Sequence, residues 1–139
     1  MIGPFIGKYK FLSNFFVLTN PIKYKGLLFY SVENAYQAAK CKTKKEMQLF
    51  QNITPSEVKQ LGKTVELIEN FELDKLHIMT YLVIQKFKKN HDLTIMLERT
   101  GDQNIVEINS WADRFWGMSN GRGENHLGRI LMKIRDGDL

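Results

Sequence analysis

Leu73, Leu76, Met79, Val83 and Phe87 recur at steps of three and four residues across residues 73–89. That spacing draws one apolar stripe down a helix of several turns. Such a helix is stabilised chiefly by burying its stripe, so the rest of the chain must build a core against it. The chain has 139 residues, which suits one domain, residues 1–139, around one core. A chain of that length buries about two-thirds of its unfolded surface, enough to fold without disulfides or a structural metal.

Further helix signals flank the stripe. Ser31 fits the N-cap of a helix over SVENAYQAAKC, a run of good helix formers. Thr43-Lys44-Lys45-Glu46 has the form of a capping box opening a short second helix. Thr54-Pro55-Ser56-Glu57 repeats the form, with Pro55 at the first helical position and Gly62 as the expected C-cap. His91-Asp92 opens a helix through Leu97 that stops near Thr100-Gly101. HLGRILMKIR, apolar at Leu127, Ile130, Leu131 and Ile134, reads as an amphipathic closing helix. Strand signals are fewer. PIKYKGLLFYS has β-formers on both sides of Lys25-Gly26, a hairpin turn. NIVEIN, residues 104–109, alternates as a short strand, and the N-terminal part otherwise reads as short strands and loops. The sum is an α+β fold: a mostly helical single domain with a small β-sheet.

Composition narrows the class. The lone Cys41 cannot form an internal disulfide, so a reducing compartment is expected, with Cys41 a small buried thiol. The longest apolar runs, such as GLLFY, are too short to span a membrane. MIGPFIGKYKF lacks the basic segment and long apolar region of a signal peptide. The chain therefore reads as soluble and cytoplasmic. Its formal charge of +5 fits either solubility or a phosphate-bearing ligand, small or polymeric. Lys42, Lys44, Lys45, Lys86, Lys88 and Lys89 are scattered and form no long basic arm. His77, expected near the core edge of its helix, is too far from His91 and His126 to suggest a metal site. No metal or cofactor is expected. GxxxxGK[ST] and GxSxG are absent, and in GRGENHLG the last glycine falls one residue late for GxGxxG.

Three stretches could carry chemistry. On the helix after Ser31, Glu33, Gln37 and Lys40 are spaced i, i+4, i+7, with Tyr36 at i+3. They share one face, opposite Val32, Ala35, Ala38 and Ala39. That face is either a solvated polar ladder or a carboxylate and an amine held side by side. A lysine near a carboxylate can move protons, and one with a lowered pKa can attack a sugar aldehyde. In FLSNFF, Asn14 sits between aromatic pairs, either in a core-anchored turn or presented to a ligand. In DRFWGMSNGRGENHLG, Asp113 and Trp116 precede Gly117, Gly121, Gly123 and Gly128. Glycine backbone and the start of the closing helix could bring N–H groups to a phosphate, with Asn125 among the donors. Trp116 could stack on a base. The plainer reading is a surface loop beside a buried tryptophan.

Taken in order, FLSNFF, SVENAYQAAK, TPSEVKQLGK, KFKKNHDLTIMLERTGD and IVEINSWADRFWGMSNGRGENHLGRILMKIR resemble the NADAR family, also called YbiA-like, from about residue 9 to 136. The resemblance implies an α+β fold and an N-glycosidase. One branch of the family cleaves the ribosylamine bond of early phosphorylated riboflavin-pathway intermediates. Another removes ADP-ribose from the amino group of guanine in nucleic acid. Matched position by position, the resemblance places Asn14, Glu33, Tyr36, Gln37, Lys40, Trp116, Gly117, Gly121, Gly123, Asn125 and Gly128 at the site, with Arg122 as an optional phosphate clamp. Glu33 is the expected proton shuttle. Lys40 is a phosphate or carboxylate partner, or a Schiff-base nucleophile. Asp113, three residues before Trp116, is grouped with them as catalytic. The chain has Asn34-Ala35 where many relatives carry His and an aromatic, a departure expected to alter substrate fit. The competing class is a non-catalytic ADP-ribose or NAD reader, which needs the loop and Trp116 but not the Glu33–Lys40 pair. A plain nucleic-acid binder ranks last, because no recognition module is visible.

Overall fold

The computed structural model describes all of the chain, Met1–Leu139. It divides into two compact units: Asn14–Asn90, and a discontinuous unit of Met1–Ser13 with His91–Leu139.

The unit Asn14–Asn90 holds β1 (Ile22–Tyr24), β2 (Leu27–Phe29), α1 (Val32–Ala38), α2 (Lys44–Gln48), α3 (Pro55–Gly62) and α4 (Phe71–Lys89). The strands pair antiparallel, Tyr24 opposite Leu27, around the Lys25-Gly26 turn. Gln85 on α4 clamps the free edge of β1. It accepts the Lys23 N–H at 2.9 Å and donates to the Lys23 carbonyl at 2.7 Å. Local cap signals operate as the residues require. Ser31 accepts the Asn34 N–H, Thr43 accepts the Glu46 N–H, and Thr54 with Glu57 forms a complete capping box. α1 lies at the centre of the unit, packed on α2, α3, α4 and both strands. Each of its residues is buried.

Several expectations shift here. Gly62 is not a C-cap: it is the last residue of α3, and Lys63 caps the helix. α4 starts at Phe71, and its buried face is rotated from the expected stripe. Phe71, Met79, Leu82, Val83, Lys86 and Phe87 face inward, while Leu73 is 78% exposed. The rotated face obeys the same three- and four-residue rule. It is masked in the sequence because one member, Lys86, is a lysine. Lys86 is 1% exposed, so it is not one of the scattered surface charges. His77 points to solvent rather than to a core edge.

The unit Met1–Ser13 with His91–Leu139 holds α5 (His91–Glu98) and α6 (His126–Asp136), packed on each other. A 3-10 helix, Gly7–Leu12, stands where short strands were expected. Residues 104–109 run extended but form no strand. Ile105 bridges Ile2, and Ile108 bridges Met118. The reason is a side chain. Asn125 takes the Ile105 carbonyl at 2.9 Å and the Glu107 N–H at 2.9 Å, so those groups are withdrawn from any ladder. No helix of the chain is long and apolar enough to cross a membrane.

Candidate active site

The face of α1 carrying Glu33, Tyr36 and Gln37 is not a solvated ladder; these side chains are 7%, 6% and 6% exposed. Gln37 donates its Nε2–H to Glu33 Oε1 at 2.8 Å. The regular helix ends at Ala38 and Lys40 lies in the turn beyond, but the turn stays helical enough to keep it with Tyr36. Lys40 Nζ is 5.6 Å from the centre of the Tyr36 ring and 5.9 Å from that of Phe71. The two rings meet at 5.6 Å. Loss of solvent lowers the Lys40 pKa below its ordinary value; Glu33 and Glu72 pull it back up, and Lys75 pushes it down. The amine therefore loses its proton more readily than a surface lysine does. Cys41, the next residue, is buried, and burial pushes its thiol up to about 11, which leaves it a poor nucleophile.

Asn14 stands over the first turn of this helix. Its main-chain carbonyl accepts the Glu33 N–H at 3.0 Å, and its side-chain amide reaches the Met79 sulfur at 3.5 Å. Asn34 points elsewhere. Its amide donates to the carbonyls of Phe50 at 2.8 Å and Ile53 at 2.9 Å. The departure at Asn34 therefore acts on the α2–α3 connection, not on the Glu33 face. A cavity of about 280 Å³ opens on that side of α1, lined by residues including Tyr30, Ser31, Asn34, Gln51 and Thr54. Glu33, Gln37 and Lys40 do not line it.

The remaining candidates lie in the other unit, in a loop that is largely bonded to itself. Asp113 Oδ1 accepts the N–H groups of Phe115 at 3.1 Å and Trp116 at 3.0 Å. Asn109, which sequence reasoning missed, braces Asp113 through both its N–H and its carbonyl. The Asp113 carboxylate is thus first an anchor for the backbone that carries Trp116. Trp116 is half-buried, edge-on to Phe115 at 4.7 Å. Asn120 and Gly121, with φ of 52° and 74°, make a tight two-residue turn closed by reciprocal Ser119–Arg122 hydrogen bonds. An Asn-Gly pair is the strongest short signal for such a turn, and the sequence offered it. Gly117 allows close approach: a Cβ there would strike Glu107. Gly123 lies against the Gly117 carbonyl, and Arg122 is exposed.

The anion cradle expected at the start of the closing helix is closed from within. The N–H groups of Asn125, His126 and Leu127 donate to the carbonyls of Gly117, Phe115 and Trp116. The Asn125 side chain is engaged at both ends with residues 105 and 107. These bonds satisfy three of the four N–H groups at the start of the helix that would otherwise face a phosphate.

The NADAR domain model matches residues 5–137. The chain belongs to the NADAR family. An N-glycosidase of Nostoc punctiforme is 39% identical to this NADAR protein over 113 residues, 76% of this chain and 72% of that one. N-glycosidase YbiA of Shigella flexneri is 30% identical over 128 residues, 89% of this chain and 78% of that one. A riboflavin biosynthesis protein of Vibrio vulnificus is 31% identical over 135 residues, 91% of this chain but 35% of that longer protein. The NMR structure of Escherichia coli YbiA matches with a TM-score of 0.83 at 27% identity, covering 98% of this NADAR chain and 82% of that one. The helix-rich α+β architecture with a small antiparallel sheet is the one the sequence led us to expect.

Proposed function

We propose that this NADAR protein is an N-glycosidase, a hydrolase that splits the bond between sugar C1 and the exocyclic amine of a ribosylated base. The carrying observation is the buried Glu33–Gln37 pair beside the desolvated Lys40 amine. The substrate class we assign is a phosphorylated ribosylaminopyrimidine of early riboflavin synthesis. The relative named for riboflavin biosynthesis supports that branch. An ADP-ribosylated guanine amine offers the same ribose and phosphate handles and is the second class.

The chemistry follows from a glycosylamine. Glu33 gives a proton to the ring oxygen while the exocyclic nitrogen's lone pair forms a C1=N bond, and the ring opens. The neutral Lys40 amine adds to C1 and expels the base as its free amine, leaving a lysine–sugar imine. Water hydrolyses that protonated imine, returning the neutral Lys40 amine, releasing the sugar aldehyde and giving Glu33 back its proton. The net change is one water added across the C1–N bond. Asn14 is the candidate for ribose hydroxyls, with Tyr36 walling the amine. Asn125, whose amide is engaged at both ends, is left out of substrate binding. Asp113 anchors the loop that carries Trp116.

The test is turnover of the two substrate types side by side, with borohydride trapping and mass spectrometry. Reduction should leave a sugar adduct on Lys40, and Glu33→Gln should lose about 10²–10⁴ in rate. Near-full turnover by Glu33→Gln would remove its assigned role. No adduct, together with an active Lys40→Arg variant, would eliminate the imine route. Binding of ADP-ribose with no product from either ribosylated amine would favour the non-catalytic reader instead.

A further inference from the structure

Gln37 holds Glu33, and the holding leaves a mark elsewhere. With Nε2 donating to Glu33 Oε1, the other end of the amide, Oε1, is buried without a hydrogen-bond partner. A buried acceptor left unpaired is unfavourable, so this orientation must be dictated by something stronger. With the proton Glu33 delivers carried on Oε2, Oε1 is an acceptor, and turning the amide over would set two acceptor oxygens together. The carboxylate therefore dictates the orientation, and the amide oxygen must lodge elsewhere. It lodges against Gly62, the last residue of α3: a Cβ built on Gly62 would collide with the Gln37 carboxamide.

Gly62 is not there for its backbone. Its φ is not among the positive values of the chain, and it sits within a regular helix. Nothing in its backbone conformation there calls for glycine. What the position requires is the missing side chain. We propose that Gly62 is a positioning residue for the reaction: the space it leaves seats the Gln37 carboxamide, which in turn fixes the Glu33 carboxylate that carries the proton. The inference rests on the reading of Glu33 as that proton carrier. It links α3, which contributes no reacting group, to the chemistry on α1 through one contact.

A double-mutant cycle tests it, using the full chain, steady-state kinetics on a ribosylated amine and thermal melts. Gly62→Ala and Gln37→Ala should each lower kcat by about ten- to a hundredfold, the scale of one charge-assisted hydrogen bond, with KM changed far less. In the Gln37→Ala background the extra methyl of Gly62→Ala has room. It should then cost no more than about threefold further, and the melting temperature should not fall again. Single variants that melt lower yet keep wild-type kcat would overturn the positioning role and leave only packing. Additive losses in both kcat and melting temperature would show that the two residues do not act through one another. Wild-type protein with no turnover on either substrate class would overturn the functional reading itself. Active wild-type protein without coupling would overturn this inference alone.

Discussion

The lowered pKa of Lys40 comes from its surroundings, not from a motif. Burial against Tyr36 and Phe71 lowers its pKa, and Glu33 and Glu72 limit the fall. On the proposed imine route the neutral amine attacks, so the rate should climb with pH through a Lys40 pKa that lies below the ordinary lysine value. A pH–rate profile should show that limb in the wild type and lose it in Lys40→Arg, whose guanidinium stays charged. Asn125 carries a different kind of consequence. Both ends of its amide satisfy main-chain groups of the 105–107 segment. Asn125→Ala should cost about 2–6 kcal/mol in urea melts, because it strands one donor and one acceptor, each worth roughly 1–3 kcal/mol when unpaired. A loss under half that size would mean that neither group depends on the side chain. The spacing Glu33–Gln37–Lys40 was visible in the sequence. That the face would be buried was not, because burial is set by α3, α4 and the hairpin.

At the scale of elements, locally determined features were the legible ones. The caps at Ser31, Thr43 and Thr54 and the Lys25-Gly26 hairpin depend on neighbours a few residues away. Features that depend on a distant partner were misjudged. Residues 104–109 alternate like a strand, yet Asn125 diverts their hydrogen bonds. The glycine loop looked like an anion cradle, yet its donors close on their own chain. Gly121 is the element-scale test of that self-bonded loop. Its φ of 74° is open to glycine and strained for alanine. Nothing would crowd the added methyl. Gly121→Ala should therefore destabilise by about 1–2 kcal/mol, the left-handed backbone penalty alone. A chemical-denaturation curve unchanged from wild type would argue against the tight turn.

For the whole molecule, the outstanding term is Lys86. It is fully buried, its Nζ lies 5.9 Å from the centre of Phe16 and 5.4 Å from that of Phe87, and burial pushes its pKa down to about 7. An unfolded chain holds that proton up to the ordinary lysine value of 10.5. Between about pH 7 and that value the unfolded state binds more protons than the folded one, so stability rises with pH across the window. Below about pH 7 both states are protonated and the cost of burying the charge is present in full. Lys86→Met should flatten this rise and stabilise the fold near pH 6 by about 1–4 kcal/mol, taking the range for buried ion pairs replaced by apolar residues of similar volume. Urea melts across that range should show the two curves converging as pH rises. Parallel curves would mean that Lys86 keeps an ordinary pKa inside the protein.

Acting through neighbours along the chain, the amino-acid sequence determined the helix-rich class, the caps, the hairpin and the face that groups Glu33, Tyr36, Gln37 and Lys40. These follow from periodicity and short-range hydrogen bonds, which need no knowledge of the fold. Tertiary structure alone decided which face of α4 is inward, that Lys86 is core, that Asn34 and Asn125 staple loops, and that Gly62 seats Gln37. Each of those outcomes depends on which distant groups meet. Desolvation and close contact are properties of such meetings, and the same two effects turn Lys40 from an ordinary surface cation into a candidate nucleophile.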